Sequence, residues 1–411
     1  MVHRHGGKSD WLSGWAAVVL VLLLATGSPA AEKSWDQVLA EARGQTVDWF
    51  MWGGSPAVNA YVNGYLAPRV RELYGIELRQ GPVKDIAEVV GKLVIEKQAG
   101  KHSGGHVDLM WINGENFRTC KKNNLLFGPF AHRLPNQQYV DWGRPSVAND
   151  FGEPVEGLES PWGSAQVVMI YDQARVSDPP RSVAALLEWI RRHPGRFAYP
   201  APPDFTGSVF VRHVFYHLNG DIARWQGGYS RGDLEAAAGR TYQTLRDLAP
   251  SLWRGGNTYP ESPVRMNALF ADGEIDFAFS YHQAEASRNI LDGLFPDTVR
   301  TYVFDEGTIA NTHFVAIPFN AAASAGAMVV ADFLLSPQAQ LKKADPDVWG
   351  DFPAIDPGRL PAEWRARFET RPRGPATLTD AELQAHQLPE PPSEILIHIE
   401  KGWERHVLKG R

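Results

Sequence analysis

Residues 46–70 read TVDWFMWGGSPAVNAYVNGYLAPRV. The front half, Thr46–Trp52, alternates and is rich in aromatic and β-branched side chains, as a strand is. The back half carries apolar residues at helical spacing and predicts a helix running to Gly75. Between them stands Trp52-Gly53-Gly54-Ser55, a loop with a large indole at its mouth. In an α/β protein, the handover from strand to helix lies at the carboxyl edge of the sheet, where ligands bind. Glycines there let a ligand approach the backbone closely. An indole offers a flat apolar face to a sugar ring, a heteroaromatic ring or a cation.

The pattern repeats outward from this stretch. A short amphipathic helix precedes it, ending at Gly44. Residues 76–83, IELRQGPV, predict a second strand, and 85–100 a helix stopped by Gly100. Residues 106–114, HVDLMWING, predict a third strand and a turn, with ENFRTCKKNN opening the next helix at Glu115. This β-α order specifies a parallel sheet with helices on its faces. After residues 156–172, EGLESPWGSAQVVMIYD, a second α/β block follows. Its predicted helices are 182–195, one starting near Thr206, 233–250 and 263–273. Its predicted strands are 196–200 (RFAYP) and 274–281. A strand at 311–320, a helix at 325–340, a Pro-rich tail and a final amphipathic helix at 393–408 complete the chain.

The bulk composition narrows the function. A chain of 411 residues is too long for one ordinary core and predicts about two domains. The net charge is −6 and no dense basic stripe occurs, which argues against a nucleic-acid partner. Near the start, Arg4 and Lys8 precede the apolar run AAVVLVLLLATG and the small residues SPA. A run of about a dozen residues fits a signal-peptide core and is short for a membrane span. We expect residues 1–30 to be a cleaved signal, with an uncleaved anchor as the alternative. The single cysteine, Cys120, forms no internal disulfide.

Catalytic signatures are absent: no HExxH, GxSxG, GxxxxGK[ST], CxxC or GxGxxG occurs. His213 with His217, and His102 with His106, have metal-ligand spacing, but each pair lacks an identifiable third ligand. We expect no metal and no cofactor. An exported two-block α/β chain without such signatures points to binding rather than to an enzyme.

Six stretches, in this order, resemble bacterial extracellular solute-binding proteins of ABC transporters. They are QTVDWFMWGG, VDLMWINGENF, ESPWGSAQVVMIYD, YPAPPDFTGSVF, GEIDFAFSYHQAEA and the run FDEGTIANTHFVAIPFNAAASAGAMVVADFLLSPQAQ. The first, second and last are similar in particular to the YnjB-type branch. The resemblance covers nearly all of the chain after the signal. It implies a periplasmic-binding-protein fold of the class II type, with interleaved lobes, a strand hinge and one ligand in the cleft. It assigns 35–160 with 283–335 to one lobe, and 161–282 with 336–411 to the other. It also implies a periplasmic monomer, a small-molecule solute and a membrane permease as partners.

Carried onto these positions, the expected ligand contacts are Trp52, Gly53, Gly54, Trp111, Asn113, Glu115, Trp162, Asp204, Thr206, Gly207, Ser208 and Tyr281. Several have a plainer role open to them. For Glu115 it is complementing a helix dipole. Trp162 would either floor the cleft or brace the hinge. Asp204 or Thr206 would serve as an N-cap. The motifs hold aromatics and carboxylates but no Arg or Lys, so a neutral polyhydroxy compound or an organic cation, including a thiamine-like heteroaromatic, is expected. The acids favour the cation. Two other classes compete: an exported hydrolase acting on a carbohydrate or ester, and a sensor that docks on a membrane kinase.

Overall fold

The structure is a computed structural model that describes residues 33–410. The expected signal peptide lies outside the described residues. Among them, no helix is long and apolar enough to cross a membrane.

The opening stretch folds as its pattern predicts. β1 (Thr46–Trp52) buries Val47, Trp49 and Met51 on one face and turns the alternate residues to the other, where Phe50 packs, partly buried, on a smaller core that includes Leu93, Met110 and Ile112. Ser55 accepts the N–H of Val58 at its side chain, and Pro56 takes the first helical position, so a helix starts at once. After a π turn at Val62–Leu66 the helix resumes over Ala67–Tyr74 and stops at Gly75, whose φ of +70° is left-handed.

β2 (Glu77–Val83) and β3 (Leu109–Ile112) flank β1, both parallel to it. A two-rung hairpin follows, β4 (Asn149–Asp150) with β5 (Glu153–Pro154). Next come β6 (Glu159–Gln166) and β7 (Val168–Asp172), then β8 (Phe277–Ser280), β9 (Val299–Tyr302), β10 (Thr308–Ala316) and β11 (Gln387–Pro389). The large sheet runs β2-β1-β3-β10, with β6 antiparallel to β10 and β11 parallel to its first three residues. The small sheet is antiparallel, β8-β7-β9.

Each sheet carries its own hydrophobic core. One core takes residues from 38–162 and 315–368. The other takes residues from 165–309 and 376–407. Two strands cross between them, β6 and β10: Trp162 and Val315 lie in the first core, Ala165 and Ile309 in the second, and the chain passes back to the second core once more between Phe368 and Ala376. They pair along Ala310–Ala316, with the register shifting between His313 and Phe314. These exchange points differ from the expected ranges. Phe295, Val299 and Tyr302 belong to the second core because β9 pairs with β7, and the chain returns only along β10. Ala339, Trp349 and Phe368 pack in the first.

Two local expectations change. Residues 196–200 form no strand. Phe197 and Tyr199 are buried, but the Arg196 and Phe197 carbonyls each take one isolated bond, from Asp276 and Trp253, instead of a ladder. The helix expected over 325–340 is two, Ser324–Leu334 and Pro337–Lys343. Pro337 cannot extend a helix from behind, and Ser336 caps the new one through Ala339 N–H.

Candidate functional site

The carboxyl ends of β1 and β3 bring Trp52 and the Asn113-Gly114-Glu115 turn to one edge of the large sheet. Trp52 is 47% exposed, unusual for so large an apolar side chain. Its indole lies back over Gly54, where an added Cβ would come within 2.3 Å of the ring. Gly53 is equally restricted, by Pro82 at 2.5 Å. The two glycines thus make room for the protein's own Trp52 and Pro82, a different reason from the one the sequence invited. Asn59 Nδ2 donates to the Gly53 carbonyl at 2.9 Å and holds the loop.

Gly114 has φ +64°, and its N–H donates to the Asp150 carboxylate at 2.6 Å. Only glycine adopts that backbone conformation freely. Glu115 opens the helix Glu115–Lys122 and is half-buried; burial pushes its carboxyl up, with Asp85 adding to the rise and Arg212 opposing it. Burial also pushes Asp150 up, and Gly114 N–H opposes it.

Trp111 and Trp162 face inward. Trp162 is fully buried, edge-on to Trp49 at 5.2 Å and Trp111 at 4.9 Å, with Trp349 at 5.3 Å. Of the two roles open to Trp162, bracing the crossing strand fits this burial; flooring the cleft does not.

On the other lobe, Asp204 caps the helix Phe205–Asn219 through Gly207 N–H at 2.8 Å, and burial raises its carboxyl despite the Gly207 and Thr206 N–H groups. Gly207 is a glycine because a Cβ would meet the Pro200 carbonyl oxygen at 1.8 Å. Ser208 is buried one residue on. Free N–H groups at a helix N-terminus suit an anion, and here they already hold the protein's own acid.

Tyr281 ends near this helix and stacks on Phe205 at 4.8 Å. Its hydroxyl donates to Glu390 Oε1 at 2.5 Å. Glu390 also accepts from Asn311 Nδ2 at 3.1 Å and forms an ion pair with Arg212. Arg212 is fully buried and lies over the rings of Phe205 at 5.1 Å and Phe151 at 5.9 Å, the latter from the first-lobe side. Burial works against its charge, but Glu390, Tyr281 and Glu400 together outweigh it and raise the guanidinium further. Glu400 completes the group; burial pushes it up to about 7 against the lowering effect of Ser208 and Arg212. Glu115 and Glu400 both act electrostatically on this pair.

The structure therefore gathers Glu115, Tyr281 and the Asp204–Ser208 turn around a centre that motif reading missed: Arg212, Glu390, Asn311, Phe151 and Glu400. Arg212 brings a guanidinium to this group, where the quoted motifs hold no Arg or Lys. A signal existed, since Arg212 interrupts the apolar run VFVRHVF of a buried helix. Glu390, between prolines in the tail, carried none.

His213 does not pair with His217 on a metal. Its Nδ1 donates to the Val209 carbonyl at 2.8 Å, and Nε2 accepts from Ile309 N–H at 3.0 Å on β10. Both nitrogens are used and the ring must be neutral. Burial pushes His213 down to about 4, with the Val209 bond opposing. The unfolded chain therefore takes up a proton near pH 6.5 while the native protein waits until about 4. Stability supplied by this group is full above 6.5 and is lost as pH falls to 4, a difference of about 3 kcal/mol. The difference in unfolding free energy between wild type and His213→Gln should shrink over that window; a constant difference would refute it.

The family model for bacterial extracellular solute-binding proteins matches residues 69–368. Protein YnjB of Escherichia coli (strain K12) is 41% identical over 368 residues, covering 90% of this chain and 92% of that one. Among solved structures, the Tp0655 (TpPotD) lipoprotein of Treponema pallidum aligns with a TM-score of 0.63 at 13% identity, covering 88% of this chain and 98% of that one. An ABC transporter protein from Clostridium perfringens ATCC 13124 aligns at 0.62 with 14% identity, over 88% and 99% of the two chains. A periplasmic thiamin binding protein aligns at 0.57 with 17% identity, over 88% and 96%. At these identities the structural likeness is one of fold.

Proposed function

This chain belongs to the family of bacterial extracellular solute-binding proteins, and we propose that it takes one small organic cation between its two lobes and passes it to the membrane permease of an ABC importer. It would act in the periplasm, without catalysis. One observation carries the choice of a cation. Both features that would attract an anion, Arg212 and the N-terminus of the helix Phe205–Asn219, already hold carboxylates of the chain, Glu390 and Asp204. Glu115 and Glu400 remain beside them, and Trp52 offers an exposed aromatic face at the sheet edge. Closure of the lobes would bury the solute, with β6 and β10 absorbing the movement.

Mass spectrometry of protein purified natively should find an organic amine or a heteroaromatic cation. In thermal-shift screening such compounds should stabilise the protein, and phosphate or sulfate should not. Stabilisation by phosphate or sulfate alone would overturn the reading. Trp52→Ala should weaken binding by about 1–3 kcal/mol while leaving the unfolding midpoint nearly unchanged, since the side chain is largely exposed. Affinity for a cation should fall as pH drops below about 7, because Glu400 becomes neutral there.

A further inference from the structure

The segment 387–393 ties the two lobes together. β11 pairs with the start of β10. Tyr216 Oη donates to the Pro389 carbonyl at 3.1 Å, and Gln226 Nε2 to the Glu390 carbonyl at 3.0 Å. On the first-lobe side, Ser393 N–H donates to the Phe151 carbonyl at 3.0 Å. Pro392 packs on Gly152, where an added Cβ would come within 3.0 Å of its ring. Pro389, Pro391 and Pro392 restrict the backbone, so the segment loses little entropy on being held.

This rigid strap carries one acid inward. The Glu390 carboxylate meets a guanidinium from Arg212, a phenol from Tyr281 and an amide N–H from Asn311. All four side chains belong to residues less than a tenth exposed. One guanidinium nitrogen reaches the carboxylate while the other two are fixed on the Phe205 and Ser208 carbonyls, and a cation so held with neutral donors beside it is suited to a free carboxylate. The remaining oxygen of the Asn311 amide is buried without a partner among the described residues.

We infer that Glu390 is a resident ligand: it fills a carboxylate-recognising subsite built by Arg212, Tyr281 and Asn311, and thereby bars solutes that carry a carboxylate of their own. Glu390 is thus a specificity-determining residue. Vacated, the subsite takes a small monocarboxylate. The consequence for solute choice rests on reading the lobe junction as the solute cleft; the chemistry of the subsite does not.

Chemical rescue tests it. Glu390→Gly removes the carboxylate and leaves its space, and Glu390→Ser does the same with a smaller change. Each full-length variant is melted in about 100 mM sodium acetate and in sodium chloride of equal ionic strength. Acetate should raise the melting temperature of a variant by about 2 °C or more and leave the wild type unmoved. Ammonium at matched ionic strength should do nothing. Failure of acetate to stabilise either variant, including failure of both to fold in its presence, overturns the inference, as does equal stabilisation of the wild type. The cation screen on the wild type is read separately. Rescue without cation binding would leave the subsite standing and remove the proposed solute; cation binding without rescue would do the reverse.

Discussion

Lys343→Met should cost about 3–5 kcal/mol of stability, because it leaves a buried carboxylate without its charge partner. The ammonium of Lys343 is fully buried and donates to Asp351 Oδ2 at 2.6 Å, the Trp162 carbonyl at 2.6 Å and the Phe352 carbonyl at 3.1 Å. All three of its protons have acceptors. Burial alone would raise Asp351, but Lys343 and His313 together hold its carboxyl below the usual range. Methionine fills a similar volume and donates nothing, so Asp351 would keep only His313, at 3.3 Å. Urea denaturation of the two proteins measures the loss. The double variant Lys343→Met with Asp351→Leu should recover most of it, since neither charge then needs desolvating. A loss below about 1 kcal/mol in the single variant would show that no ion pair is maintained there. The pair also explains Gly163 on β6, where a Cβ would come within 2.3 Å of Asp351 Oδ2 and 2.7 Å of Lys343 Nζ. This group therefore sits against the crossing strands, beside the register shift at His313.

Arg212→Met should have an effect of the same size, about 3–5 kcal/mol at neutral pH, for the same reason at the lobe junction. Glu390 would remain buried with only Tyr281 and Asn311, and with Glu115 and Glu400 nearby. Arg212 also donates to the Phe205 carbonyl at 3.1 Å and the Ser208 carbonyl at 3.3 Å, so two carbonyls in the first turn of that helix lose a second donor. Arg212→Lys should recover only part, because an ammonium cannot reproduce the planar fork. The loss should shrink at pH 5, where the orphaned carboxylate can take a proton. Guanidinium unfolding of wild type and variants at pH 7.5 and pH 5 gives both comparisons. A loss that is the same at both pH values would mean that the damage is packing rather than charge.

These two groups mark the divide between local and distant information. The α/β character was legible because it is local. Val47, Trp49 and Met51 alternate, Ser55-Pro56 starts a helix and Gly75 ends one, all within about 30 residues of chain. The order of the quoted motifs was likewise enough to indicate the family. Trp52, Asn113 and Glu115 could be nominated because a strand end in a parallel sheet has one functional edge.

The reasons for individual residues needed the folded chain. Gly53 and Gly54 read as room for a ligand, but what approaches them is Pro82 and Trp52; Gly163 and Gly207 likewise stand against the Lys343–Asp351 pair and the Pro200 carbonyl. Trp162 sits in a motif beside the cleft, yet its side of β6 faces the first core. The lobe boundaries moved because pairing of β9 with β7 holds 295–304 on the second lobe, and no periodicity records which sheet a strand joins.

By itself the sequence determined the alternation of strands and helices, their caps, the absence of familiar catalytic motifs and the family. Those depend on side-chain periods of two and 3.6 and on short ordered motifs. Only the tertiary structure decided the charge of the lobe junction. Arg212 and Glu390 stand 178 residues apart, and each alone reads as a misplaced charge in an apolar helix or a proline-rich tail. Burying either requires the other, and that pairing is a property of the fold, not of any window of sequence.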